Sequence, residues 1–128
     1  MILIGDKLVP CESIGFINSF DDIKNTASNS TVSFRFNEEL LAYCFKNSVN
    51  SAVLVSNIKE AIYSNALNAK YIIAQKELAQ KIQKVAENYM YDSKILAIIQ
   101  SNDELEEIAS MEIDGVIYSN LLPSLKTS

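Results

Sequence analysis

Residues 71–86 read YIIAQKELAQKIQKVA, and this stretch decides the fold. Its first four residues form an uninterrupted apolar run, which is typical of a strand that is buried on both faces. From Lys76 onward the pattern changes, because Leu78, Ile82 and Val85 recur at helical spacing with charged residues between them. The stretch therefore predicts a central strand followed by an amphipathic helix.

The same order of strand and helix repeats on both sides of this unit. Residues 52–55 and 95–99 are further apolar runs, so we predict that they lie parallel to 71–74 as its neighbours. Six such units are too few for a closed eightfold barrel, which needs about 250 residues. We therefore predict an α/β fold with an open, doubly wound, mostly parallel sheet of five or six strands and helices on both faces. The other strands are expected near Ser13, Thr31 and Gly115, and the helices near Ser19, Asn37, Ile58, Lys76 and Asp103.

The first twelve residues differ from the repeating part. Apolar residues 2–4 and 8–9 flank Gly5-Asp6-Lys7, which predicts a tight hairpin that ends at Pro10. A length of 128 residues matches one domain. We therefore expect a single α/β domain over 1–128, with a hairpin appendage at 1–12 and repeating βα units over 13–122.

Composition and charge narrow the function classes. Hydrophobic residues make up 48% of the chain, enough for a core, while the net charge of −5 makes the protein acidic. Such a chain lacks the basic surface that binds nucleic acids or anionic membranes. It also has no apolar run of about 18 residues and no basic stretch at its start, so we expect a cytoplasmic protein.

Several catalytic groups are absent from the sequence. There is no histidine, which excludes a Ser-His-Asp triad, a Cys-His pair and an imidazole metal ligand. Arg35 is the only arginine, so an arginine clamp on phosphates is not available. Three glycines are too few for a dinucleotide fingerprint or a P-loop. We therefore expect no cofactor and no metal site.

Polar residues follow the predicted strands in a repeated pattern. Three strands are followed by the dipeptide Ser-Asn, and a fourth is followed by glutamine. Because parallel strands end at the same edge of a sheet, these side chains should lie where open α/β sheets bind ligands. We predict a site for a small polar ligand formed by Ser56, Asn57, Gln75, Ser101, Asn102, Ser119 and Asn120.

A simpler interpretation of the same residues stays open. Serine and asparagine are preferred N-cap residues, and each helix that follows a strand needs a cap. Capping alone would therefore explain the pattern without a ligand.

A second candidate region is Tyr89-Met90-Tyr91, at the end of the long predicted helix. Tyr89 continues the apolar stripe, so we expect it in the core. Tyr91 and Met90 are then left as contacts for a protein partner or for a second copy in a homodimer, since aromatic residues and methionine are enriched in interfaces.

These observations favour a binding or interaction module without catalytic activity. The alternative is a small-molecule enzyme, a transferase or hydrolase, whose Ser/Asn-lined site lies at the carboxyl ends of the strands. The missing histidine and the scarcity of arginine favour the first interpretation, while the fold itself does not decide between them.

Overall fold

The computed structural model describes residues 1–17, 22 and 30–122. These residues form one sheet of seven strands, all parallel, in the order β1-β7-β6-β5-β4-β3-β2. The prediction of an α/β fold with an open parallel sheet is confirmed, with seven strands in place of five or six. The strands are β1 Ile2–Ile4, β2 Ile14–Phe16, β3 Thr31–Arg35, β4 Ser51–Leu54, β5 Tyr71–Ala74, β6 Lys94–Ile99 and β7 Gly115–Tyr118.

Four α-helices of the described chain connect consecutive strands from β3 to β7. They are α1 Glu38–Lys46, α2 Ile58–Ala66, α3 Lys76–Asn88 and α4 Leu105–Ser110, the last preceded by a 3₁₀ turn over Asn102–Glu104. Each helix begins close to its predicted start. The helix predicted near Ser19 lies outside the described residues.

The central part of the sheet agrees with the sequence patterns. Strands β4, β5 and β6 are parallel neighbours, and residues 52–55, 71–74 and 95–99 are all buried. Alternate side chains of each strand point to opposite faces. Ile72 and Ile95 therefore belong to one core cluster, while Ile73 and Leu96 belong to a second cluster on the other face.

The described helices lie on one face of the sheet, which differs from the predicted two helical layers. Their buried apolar side chains, such as Leu41, Ile82 and Ile108, all belong to the first core cluster. The second cluster contains no residue from a described α-helix. The strand order explains the difference, because every step from β2 to β7 runs in the same direction, and right-handed crossovers then stay on one face.

The connection from β1 to β2 takes the opposite direction, from one edge of the sheet to the other. A right-handed connection must then cross the second face. Residues 5–13, which we call the strap, provide this crossing. Glu12 in the strap contacts Tyr71, whose side chain belongs to the second core cluster.

The predicted N-terminal hairpin is therefore wrong. Residues 2–4 pair with β7 in parallel, and within the described chain Leu8 and Val9 belong to no strand and are exposed. The edge of β7 accepts β1 closely because Gly115 lies opposite Ile2 without a side chain. The apolar residues 2–4 form a seventh strand of the main sheet and are not half of a hairpin.

Candidate functional site

A cleft lies above the carboxyl ends of the three neighbouring strands β1, β7 and β6. Its volume is about 420 Å³, which is in the range of small-molecule sites. We call it the strap cleft, because residues 5–8 of the strap form one wall. The other residues that line it are Gln100, Asn102, Tyr118, Ser119 and Asn120.

Asp6 and Tyr118 are the ionisable pair in the wall of this cleft. The Tyr118 hydroxyl donates to one carboxylate oxygen of Asp6 at 2.7 Å, and the Leu8 backbone N–H donates to the other at 2.8 Å. The hydrogen bonds from Tyr118 and from Leu8 hold the pKa of Asp6 below its ordinary value. The same Tyr118–Asp6 bond, with the nearby negative charge, raises the pKa of Tyr118 to about 12.

The backbone at Gly5 directs the strap away from β1. Gly5 has a φ of +96°, a conformation that glycine adopts without a steric penalty. A Cβ at this position would lie 2.9 Å from Leu121 Cδ1 and 3.3 Å from Tyr118 Cβ. Glycine therefore permits both the turn and the close packing that place Asp6 beside Tyr118.

A second cleft, of about 410 Å³, lies at the same edge above β3, β4 and β5. We call it the central cleft. Its lining includes Arg35, Ser56, Gln75 and Glu77. We call the seven residues that were predicted to form the ligand site the polar rim. They are divided between two clefts, with Ser56 and Gln75 in one and Asn102, Ser119 and Asn120 in the other.

The two remaining rim residues cap helices. The Asn57 side chain accepts from the Glu60 N–H at 2.9 Å at the start of α2. Ser101 accepts from the Asp103 N–H at 3.1 Å, and the Glu104 carboxylate accepts in return from the Ser101 N–H, which completes a capping box.

Glu104 also joins α3 to the turn before α4. Its other oxygen accepts from Lys76 Nζ at 2.9 Å, and Glu107 accepts from the same ammonium at 3.0 Å. Hydrogen bonding to the Lys76 ammonium, together with the backbone N–H groups, lowers the pKa of Glu104. Glu104 and Glu107 therefore both form ion pairs with Lys76.

The opposite, amino edge of the sheet carries a third group of polar residues. Glu12 accepts from Thr31, Tyr71 and Lys70 there. Burial and the hydrogen bond to Glu12 both raise the pKa of Tyr71. The neighbouring cavity, about 730 Å³, is lined by Lys70 and Lys94 but also by Asp92, so its charges are mixed.

The predicted contact residues differ in exposure. Met90 is 86% exposed, and Tyr91 is half-buried against the first core cluster. Tyr89 was expected in the core but is 75% exposed. Because α3 ends at Asn88, helical spacing no longer places the Tyr89 side chain on the buried face. The exposed pair at this corner is therefore Tyr89 and Met90.

Among the described residues, no group of three or more Cys, Asp or Glu side chains could hold a metal ion. None of the helices in that part of the chain is long and apolar enough to cross a membrane. No family model matches this chain, and no curated protein sequence matches it either.

Sequence reasoning missed the strap wall of the first cleft. Gly5 and Asp6 follow the apolar residues 2–4 in the same way that Ser56 and Asn57 follow β4. The signal for a strand end was therefore present, but the hairpin interpretation concealed it. The Asp6–Tyr118 contact spans 112 positions of sequence, and no local pattern reports such a contact.

Proposed function

We propose that this protein is a non-catalytic binding module and that its ligand, a small polar molecule, occupies the strap cleft. The position supports this proposal, since open α/β sheets bind ligands at the carboxyl ends of their strands. The lining supports a polar ligand, because side chains with amide or hydroxyl groups, which donate and accept hydrogen bonds, predominate among the residues that reach the cleft.

The Asp6–Tyr118 pair carries the argument against catalysis. A general acid or base works best with a pKa close to the operating pH. The pKa of Asp6 is lowered from an already acidic value, and the pKa of Tyr118 is raised to about 12. Both shifts move away from neutrality, so neither group is suited to exchanging a proton at neutral pH.

The test is a thermal-shift screen with neutral sugars, amino acids, sugar phosphates and nucleotides. A ligand that binds only the folded state raises its stability by mass action. We expect at least one compound to stabilise the native protein and the variant Ser56→Asp, but not Ser119→Asp. Ser119 lines the strap cleft and Ser56 the central cleft, so the two variants are matched controls.

Three results would contradict the proposal. If no compound stabilises the native protein, or if Ser119→Asp responds like Ser56→Asp, the strap cleft is not the binding site. If NMR shows that a stabilising compound is converted to product, the transferase or hydrolase alternative replaces the binding module.

A protein partner, or a second copy of this chain, is the second candidate, and the exposure of Tyr89 and Met90 favours it. Exposed aromatic and methionine side chains are enriched at interface cores. Sedimentation velocity over a range of concentrations tests for a homodimer. We expect the double change Tyr89→Ser with Met90→Ser to abolish any self-association. The control is Ile62→Ser, at an exposed position in the middle of α2, which should leave self-association intact.

A cytoplasmic location also remains a proposal. It is supported by the two cysteines, since Cys11 and Cys44 are both free thiols in this structure. Unpaired cysteines are usual in a reducing compartment. Fluorescence of the tagged chain in fractionated cells tests the location.

A further inference from the structure

We infer that the ligand of the strap cleft is a neutral, hydroxyl-rich molecule of about monosaccharide size. This inference rests on the proposed function and goes beyond it by naming the ligand class. Three properties of the cleft support the class: the balance of its charges, the kind of hydrogen-bonding groups in its wall, and the freedom of those groups to bind.

The charged side chains of the wall give no net attraction to a ligand of either sign. The charged side chains that line the cleft are Asp6 and Lys7, which are adjacent and opposite in sign. Asp6 stays ionised because Tyr118 and the Leu8 backbone both donate to it. The attraction of an anion to the Lys7 ammonium is offset by repulsion from the Asp6 carboxylate, and the converse holds for a cation. The pair therefore gives neither sign of charge an advantage over a neutral ligand.

The remaining polar groups match hydroxyl groups. Gln100, Asn102 and Asn120 each present a carboxamide, which has two N–H donors and one carbonyl acceptor. Ser119 adds a hydroxyl, which both donates and accepts. Neighbouring hydroxyls of a sugar or cyclic polyol also donate and accept, so they can pair with such a wall in full. A phosphate or carboxylate accepts only, and it would leave the carbonyl oxygens of the wall without donors.

These amides are also free to bind. Within the described chain, the side chains of Gln100, Asn102 and Asn120 make no hydrogen bond to other residues. This distinguishes them from Asn57 and Ser101, whose side chains cap helices and are already engaged. Asn102 and Asn120 therefore line the strap cleft without capping a helix.

The experiment titrates the ¹⁵N-labelled full chain with D-glucose, D-galactose, D-ribose and myo-inositol, each beside a charged relative such as glucose 6-phosphate or glucosamine. Amide shifts at residues 5–8 and 118–120 report on the strap cleft. We expect at least one neutral compound to shift these amides, with a Kd at least tenfold lower than that of its charged relative.

Two variants test the reasons for the selectivity. Asn120→Asp replaces an amide donor with a charge, so the neutral compound should bind at least tenfold more weakly. Asp6→Asn keeps the shape and removes the charge that opposes anions, so the preference over the phosphate should fall severalfold. Gln75→Glu, which makes a similar change in the central cleft, should leave both Kd values unchanged.

The outcomes separate this inference from the proposed function. If a charged compound binds the same amides more tightly than every neutral one, the ligand class is wrong while the binding site stands. If no compound in this titration shifts the amides of residues 5–8 and 118–120, and no compound stabilises the protein in the broader thermal-shift screen, both fail.

Discussion

Glu12 and Tyr71, which are 59 positions apart in sequence, are joined by a hydrogen bond from the Tyr71 hydroxyl to the Glu12 carboxylate. The same carboxylate accepts from Thr31 Oγ1 and from Lys70 Nζ. These bonds fasten the end of the strap to the amino ends of β3 and β5. Asp6 and Tyr118 fasten its beginning at the carboxyl edge, so the strap is held at both ends across the second face of the sheet.

We predict that Glu12→Gln destabilises the protein by about 1–3 kcal/mol at neutral pH, because hydrogen bonds to a charged acceptor are stronger than those to an amide. Most of the effect should come from Thr31 and Tyr71, since the ion pair with Lys70 is partly exposed and such pairs contribute little. Urea unfolding measures the change. Glu87→Gln, an exposed position on α3, is the control and should change stability by less than about 0.5 kcal/mol.

The contribution of Glu12 should depend on pH in a defined direction. Partial burial opposes ionisation, but the hydrogen bonds from Thr31, Tyr71 and Lys70 outweigh it and lower the pKa of Glu12. A carboxyl whose pKa is lower in the folded state binds fewer protons there, so its stabilisation is present above the unfolded value of about 4.3 and is lost as the pH falls. The stability difference between native protein and Glu12→Gln should therefore shrink between about pH 5 and pH 3. A difference that stays constant over this range would contradict the assignment.

Gly115 permits the close approach of β1 to β7, and we predict that Gly115→Ala disrupts it. An added Cβ would lie 2.5 Å from the Ile2 carbonyl oxygen and 2.6 Å from Ile2 Cβ. The clash should cost about 1–3 kcal/mol and increase amide exchange in residues 2–4. Gly15→Ala in β2 is the matched control, because no described atom lies within 4 Å of its Cβ position and the change should be neutral or slightly stabilising. Equal stability of the two variants would contradict this prediction.

The fold was predictable from sequence where the pattern is local. Continuous apolar runs identify β4, β5 and β6, because strands covered on both faces cannot alternate. The face on which the helices pack was not predictable, since it depends on strand order. That order follows from long-range pairings, such as Ile2 with Gly115, which leave no periodic signal.

The candidate site, like the fold, was predictable only where the sequence signal is local. The Ser-Asn dipeptides correctly indicate strand ends, because residues there must leave the sheet and begin a helix. The dipeptides do not reveal which of their side chains cap a helix and which line a cleft. Ser101 and Asn57 are caps, whereas Ser119 and Asn120 line a cleft whose other wall comes from the strap. Only the three-dimensional arrangement brings that wall to residues 118–120.

Met90 follows α3 in a left-handed conformation, with a φ of 52°. Glycine is favoured after a helix in this conformation because it has no Cβ. We predict that Met90→Gly stabilises the protein by about 1 kcal/mol, as the exposed Met90 side chain contributes little packing. Met111→Gly should have the opposite effect, because Met111 has a φ of −81° and packs against the core. Thermal unfolding of both variants checks the signs, and a loss of stability in Met90→Gly would contradict the first.

We also predict no tight binding to duplex DNA at physiological salt. The net charge of −5 leaves few cations to displace the counterions of the phosphate backbone. Fluorescence anisotropy with a labelled duplex measures this at two salt concentrations. A sub-micromolar Kd that weakens with salt would contradict the prediction.

Residues of the polar rim that cap a helix should contribute more to stability than residues of the rim that only line a cleft. Ser101→Ala removes the acceptor of the Asp103 N–H and breaks the capping box with Glu104, so it should cost about 0.5–2 kcal/mol in urea unfolding. Ser56→Ala should cost less than about 0.5 kcal/mol, because Ser56 is exposed and its hydroxyl bonds to no other residue of the described chain. Ser101→Asp should be more stable than Ser101→Ala and close to the native protein, since aspartate is an equally good cap and its negative charge is favourable at the start of a helix. If Ser56→Ala costs as much as Ser101→Ala, position in sequence alone determines the effect, and the division of the rim into caps and cleft residues is wrong.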